Sequence, residues 1–382
     1  MKILYEDSIP HGHDYFSQLG EARSYPMGTN PAEWLSDCDY LAIRSTTRVD
    51  ETLLRQATQL KMIATATAGT NHMDTAAIEQ HSIAWRDAGG CNAVAVAEYV
   101  VSVLLNARRQ KQLDLDRITV GIVGAGHVGT ALSRLLGALN ISYVLNDPIR
   151  QQQGDKRHFV SLDEALECDV VTLHVPFTIT GEYATANLIG ADQLSRLTSS
   201  QLLINACRGE VIDETALKQR LQRADAPVVV LDVFNHEPDI DTELLPLIWL
   251  ASAHTAGHSV EGKIRGTQMV YEQFCEHANV TRQLTLEDFL ASPLPVDFTP
   301  QDPSMEALGW DELSELLLSI YDVAEDDRDF RNALAQGESF ARIRKQYRVR
   351  RECNSYTLRL TGVVSEGILR QLTGLGFILE TL

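Results

Sequence analysis

The chain has 382 residues, 44% of them hydrophobic and 22% charged. At about 150 residues per domain this allows two or three domains with buried cores and excludes a disordered chain or a single small module. Lys and Arg total 33 against 52 Asp and Glu, a formal charge of −19, which repels phosphate backbones and anionic lipid; neither nucleic acid nor a membrane is expected as a partner.

The N-terminus reaches Glu6 and Asp7 before any apolar stretch long enough for a signal peptide, and the best later run, Ala93 to Leu105, contains Glu98. A soluble, cytoplasmic protein is expected. Six cysteines (Cys38, Cys91, Cys168, Cys207, Cys275, Cys353) are scattered without a C-x-x-C and read as reduced core thiols. Short β-branched segments then alternate with helical stretches, the pattern of parallel strands joined by crossover helices. Strands are predicted at Lys2–Tyr5, Tyr40–Arg44, Met62–Thr67 and Ile83–Asp87, followed by an apolar helix from about Ala93 to Arg108. That helix reads either as core or as a subunit interface. A denser series follows at Ile118–Val123, Tyr143–Asn146, Val170–Val175, Leu202–Asn205, Val228–Val233 and Ile248–Ala253, enough for a complete doubly wound sheet.

A helix is predicted from Val260 to His277. Four prolines then fall between Pro293 and Pro303 and read as a linker. Beyond it come a helix near Trp310–Val323, an acidic cluster Glu325–Asp327, a basic run Arg342–Arg351, and a strand–helix–strand unit at Tyr356–Thr361, Glu366–Leu372 and Phe377–Leu382. The fold class is α/β: two Rossmann-like doubly wound lobes plus a small α+β C-terminal domain. The expected limits are 1–92 with 260–285, then 93–259, then 286–382.

Gly124-Ala-Gly126-His-Val-Gly129 directly follows an apolar strand and opens an amphipathic helix, Val128 to Leu139. Gly124 permits a tight turn, Gly126 lets the backbone approach a pyrophosphate, and Gly129 lets helix and sheet pack closely, with the phosphates at the helix N-terminus. Asp147 ends the next strand, 18 positions after Gly129, where an acid binds ribose hydroxyls and repels a 2′-phosphate. NAD is therefore the expected cofactor.

Arg208, Glu237 and His254 stand near the carboxyl ends of successive strands, where doubly wound folds place their ligands. The trio resembles that of the D-2-hydroxyacid dehydrogenases, whose chemistry needs a base for the hydroxyl proton and a cation for the adjacent carboxylate. His254 is the candidate base, Glu237 the group that holds its ring in one tautomer, and Arg208 the planar fork for the carboxylate. His236 is a rival base, but neighbours along an extended chain point to opposite faces. His254 and His258 have i,i+4 spacing; Gly257 between them argues against a helix, and no nearby acid or cysteine completes a ligand set, so no metal is expected.

The spacing of fingerprint, Arg208-Gly209, Glu237-Pro238 and His254-Thr-Ala-Gly257 resembles the D-2-hydroxyacid dehydrogenase family. Arg44-Ser45-x-Thr47, Ala64-Thr-Ala-Thr67-Ala-Gly69, Gly90-Cys-Asn-Ala and the added C-terminal domain resemble the branch of it that oxidises 4-phospho-D-erythronate in vitamin B6 synthesis. The resemblance implies a substrate-binding first lobe, an NAD-binding second lobe, and a homodimer to which the C-terminal domain contributes. It places His127, Val128, Asp147, Ala206 to Arg208, Asp232 and Gly257 on NAD, and Ser45 and Thr67 on the substrate. Two positions depart from the family pattern. Val175, at the cofactor, replaces a usual threonine, and His258 replaces a tyrosine that often contacts substrate. Arg44 and Arg48 are candidate phosphate ligands. The basic run reads as a solvated helix face, as phosphate capture in a partner subunit's cleft, or as a nucleic-acid contact. Alternatives are another acid such as 3-phosphoglycerate, and an NAD(H)-sensing binding protein.

Overall fold

A computed structural model of the chain describes residues 1–381. It divides into two compact units, Met1–Asn92 with Ser259–Ser292, and Ala93–His258 with the chain from Pro293 onward.

The first unit is built on a parallel sheet of five strands, β1 (Lys2–Glu6), β2 (Glu21–Tyr25), β3 (Tyr40–Ile43), β4 (Met62–Thr65) and β5 (Ala84–Asp87), in the order β2-β1-β3-β4-β5. The central strands β3 and β4 are buried along their whole length, as expected of parallel strands covered on both faces. Strand β2 is absent from the sequence-based expectation because Glu-Ala-Arg-Ser-Tyr has little apolar content; it is an edge strand and mostly solvated. The sheet changes direction between β1 and β3, so the crevice at their carboxyl ends lies beside Glu6 and Arg44. The helix Val260–Ala278 belongs to this unit, its N-terminus capped by Ser259 Oγ.

The second unit holds a six-stranded parallel sheet of β6 (Thr119–Val123), β7 (Ser142–Asn146), β8 (Val170–Leu173), β9 (Leu202–Asn205), β10 (Val228–Leu231) and β11 (Leu250–Ala251), in the order β11-β10-β9-β8-β6-β7. All six were expected. The direction changes between β6 and β8, which places the glycine loop after β6 at the switch point. In the helix Ala93–Lys111, fourteen of nineteen residues are buried within this one chain, so it is a core helix here.

The proline-rich stretch is not a linker: Leu294–Phe298 forms β12, which pairs in parallel with β13 (Tyr356–Leu360), itself paired with β14 (Ile378–Thr381). Pro295 fits because β12 is an edge strand, where a missing N–H costs no ladder bond. The predicted last strand runs to Leu382, which lies outside the described residues. The helices Trp310–Ile320 and Val323–Ala335 pack on the helix Ala93–Lys111. Asn106 Nδ2 donates to Asp322 Oδ1 at 2.8 Å, and Ser102 Oγ accepts from Val323 N at 2.9 Å. Residues from Pro293 onward therefore share one core with the nucleotide-binding sheet rather than standing apart.

Candidate active site

The glycine loop has the shape that a dinucleotide needs. Gly124 is left-handed at φ 97°, and a side chain there would meet the His174 carbonyl and Val175 N, which sets Val175 against the loop. A Cβ on Gly129 would lie 2.1 Å from Gly124 O, whereas one on Gly126 would meet nothing within 4 Å. The space in front of Gly126 is thus open to a ligand. The helix His127–Ala138 starts there without a side-chain cap, leaving its first N–H groups and dipole for phosphate oxygens. His127 is exposed and Val128 half-buried. Asp147 Oδ2 accepts from Ala125 N and Oδ1 from Arg150 N, both at 3.0 Å. It ties the loop to the end of β7 and keeps lone pairs for ribose hydroxyls. The residues present fit NAD.

Gly209 explains why an arginine is followed by glycine. A Cβ there would lie 2.1 Å from the Phe234 carbonyl carbon, so only glycine lets the segment Ala206, Cys207, Arg208 press against the backbone that leads to Glu237. Asn205 Nδ2 holds the Arg208 carbonyl at 2.9 Å and its Oδ1 takes Cys207 N at 3.2 Å. Burial pushes the Cys207 thiol up to about 11, so it is a packing group, not a nucleophile.

His254 Nδ1 lies 2.7 Å from Glu237 Oε2, while Glu237 Oε1 accepts from Phe234 N at 2.9 Å. Burial raises the Glu237 carboxyl, but its hydrogen bond and charge contact with His254 outweigh that and hold it below the usual range. A carboxylate at Nδ1 puts the ring proton there and leaves the Nε2 lone pair for a substrate hydroxyl. His254 itself is left-handed, φ 56°, a costly conformation for a residue with a Cβ. Asp232 supports it: its carbonyl accepts from His254 N at 2.7 Å. The Asp232 carboxylate takes Ser252 Oγ, Thr255 N and Ala256 N. Asp232 is 1% exposed, and burial raises its carboxyl. Gly257 and His258 close the same loop, with His258 N donating to Thr255 O at 2.8 Å. His236, also left-handed, is not the partner of Glu237.

In the first unit, Arg44 and Ser45 follow β3 and Thr67 follows β4, brought together where Ala66 N donates to Ile43 O at 2.8 Å. Thr67 Oγ1 contacts Thr65 Oγ1 at 2.8 Å, and His72 Nε2 reaches the latter at 3.0 Å. Arg48 is exposed, with Asp50 4.0 Å away.

Residues 95–256 match the model of the D-isomer specific 2-hydroxyacid dehydrogenase NAD binding domain, and residues 295–376 match a domain of unknown function. An erythronate-4-phosphate dehydrogenase of Marinobacter nauticus is 43% identical over 100% of both chains, and one of Pseudoalteromonas atlantica 45% identical over 92% of this chain and 93% of its own. The chain belongs to the erythronate-4-phosphate dehydrogenase family. It is an NAD-dependent dehydrogenase of the D-2-hydroxyacid type. The fold is shared with an NAD⁺-bound 3-phosphoglycerate dehydrogenase of Entamoeba histolytica, at 22% identity and TM-score 0.63 over 75% of this chain and 98% of that one.

Sequence reasoning missed the placement of four groups in this erythronate-4-phosphate dehydrogenase family member, one of them, Arg350, known only as part of the basic run. Glu6 is fully buried and accepts from Thr46 and Thr47 hydroxyls at 2.7–2.8 Å, anchoring the Arg44–Thr47 turn; an acid ending an apolar strand was the available signal. Lys263 lies near Arg44, and burial together with that like charge lowers its ammonium. Arg157 holds Ala125 O at 2.9 Å and Thr130 Oγ1 at 2.9 Å beside the glycine loop. Arg350 donates to Ala256 O at 2.8 Å, in the His254 loop, and to Ala95 O at 2.6 Å. No local pattern reveals these last three, whose partners lie far away in sequence.

Proposed function

We propose that the protein oxidises 4-phospho-D-erythronate to (R)-3-hydroxy-2-oxo-4-phosphooxybutanoate, a step of vitamin B6 biosynthesis. The observation that carries this is the His254–Glu237 pair, oriented with Nε2 free of Glu237, in a chain whose full-length relatives bear the erythronate-4-phosphate dehydrogenase name.

Bound NAD would supply the acceptor for the C2 hydride. Its proposed ligands are Gly124, Gly126, His127, Val128, Gly129, Asp147, Val175, Ala206, Cys207, Arg208, Asp232 and Gly257. His254 Nε2 takes the C2 hydroxyl proton, and Glu237 stabilises the imidazolium that results. Arg208 binds the carboxylate with a planar, bidentate fork. Ser45, Thr67 and His258 are assigned to the substrate, and Arg44 with Lys263 beside it supplies positive potential for a trianionic ligand. The working assembly is a homodimer in the cytoplasm, with the C-terminal sheet at its interface.

The test is NADH formation by the purified protein with 4-phospho-D-erythronate, beside 3-phosphoglycerate and D-lactate, with an added 2-oxo acid to reoxidise retained NADH. Selective turnover of the phosphoerythronate, lost in His254→Ala, is expected. Turnover of only another acid overturns the substrate assignment.

A further inference from the structure

The basic run resolves into residues with different duties. Arg342 pairs with Glu338 at 3.3 Å. Arg348 reaches Glu325 at 2.7 Å and Asp326 at 3.1 Å. Arg350 is buried, 3.5 Å from Glu98 and stacked on the Tyr321 ring at 3.4 Å. Arg344 is different: among the described residues no hydrogen bond or ion pair holds its guanidinium, although the residue is half-buried.

Its position follows from the helix Phe340–Lys345. Phe340 meets the Phe234 ring edge-on at 6.2 Å, and Tyr347 meets the His258 ring at 5.8 Å. Phe234 is the residue whose N–H holds Glu237, and His258 closes the loop that carries His254. The two aromatic contacts therefore bracket the Glu237–His254 pair. Arg344 is four residues after Phe340 on this helix, so it shares that face, and Tyr347 lies just past the helix end with its N–H on the Arg344 carbonyl at 3.4 Å. Its strongest charge neighbours are Glu237, Asp232 and Arg208, and burial pulls its guanidinium below the usual range. A desolvated cation is costly unless an anion faces it, and Glu237 is already engaged with His254 while Asp232 is closed into the loop below it.

We infer that Arg344, supplied by the C-terminal domain, is a ligand for the substrate's phosphate and sets the preference for phosphorylated over plain 2-hydroxy acids. Arg208 serves the carboxylate, and the phosphate leaves the chain two carbons beyond the reacting carbon, so a second fork near Arg208 matches the second anionic group. This rests on the function proposed above.

The experiment compares full-length wild type, Arg344→Ala and Arg344→Lys with 4-phospho-D-erythronate and with D-erythronate at saturating NAD. In Arg344→Ala the KM for the phosphorylated acid is expected to rise about 10- to 100-fold. Its kcat/KM for D-erythronate, its KM for NAD and its melting temperature stay as in wild type. Arg344→Lys recovers part of the loss. Inorganic phosphate, as a competitive inhibitor, weakens by a similar factor in Arg344→Ala. Equal losses on both acids, or unchanged phosphate inhibition, overturn the inference and leave the proposed function standing. Wild type that turns over other 2-hydroxy acids and leaves 4-phospho-D-erythronate untouched overturns both.

Discussion

Glu237 engages His254 through Nδ1 at 2.7 Å while its other oxygen is held by Phe234 N at 2.9 Å, so the carboxylate is fixed at both ends before it fixes the imidazole. Glu237→Gln keeps the shape but offers an amide in place of the acceptor that selects the Nδ1–H tautomer. A drop in kcat of about 10²- to 10⁴-fold is expected, with the KM for NAD unchanged. Steady-state kinetics at several pH values check this, and wild-type kcat in the variant contradicts the assigned proton path.

Gly126 faces open space, with nothing within 4 Å of a Cβ built on it. Gly126→Val is therefore expected to fold with a melting temperature near wild type and to lose NAD affinity by more than about tenfold, because the side chain fills the pyrophosphate position. Thermal unfolding and NAD titration by fluorescence separate the two effects. Undiminished NAD binding places the phosphates elsewhere.

Asp147 joins the glycine loop to the end of β7 through Ala125 N and caps Arg150 N. Asp147→Ala removes a cap, a loss of about 1 kcal/mol, and removes the charge that opposes a 2′-phosphate. The kcat/KM ratio for NAD over NADP is expected to fall at least about tenfold; an unchanged ratio assigns the preference to another group.

Burial pushes the Glu98 carboxyl up from 4.5 to about 7, against the pull of Arg350. The native chain keeps a proton that the unfolded chain has released across that interval. Stability from this group is therefore complete below about pH 4.5 and declines as pH rises through about 7. Glu98→Gln keeps an acceptor for Cys353 N but has no proton to lose. The melting temperature of wild type is expected to fall relative to the variant between about pH 5 and about pH 8. Parallel curves show that Glu98 does not titrate in that window.

Much of the site was legible because its signals are local. Gly124, Gly126 and Gly129 fall within six residues of one strand–helix junction, and Arg208, Glu237 and His254 lie in the loops that follow buried strands whose apolar runs mark them. What local pattern misjudged was the C-terminal region. Prolines at 293–303 signal a linker, but an edge strand, Leu294–Phe298, takes in one of them, Pro295. The cations of 342–351 read alike as a charged face, yet their partners Glu98, Asp326 and Ala256 lie from 22 to 252 positions away.

The sequence by itself determined the α/β class and the glycine loop with Asp147 after it, and it singled out Arg208, Glu237 and His254 as candidate catalytic residues. Each depends on backbone geometry or hydrophobic period within a few residues, and such short-range constraints are written contiguously. Only the tertiary structure decided that His254 presents Nε2, that the buried Asp232 holds the left-handed loop through its carbonyl and carboxylate, and that the helix carrying Arg344 packs through Phe340 on the Phe234 that holds Glu237. Those outcomes depend on which distant groups share a desolvated space, where charge and hydrogen bonding carry most weight and sequence spacing carries none.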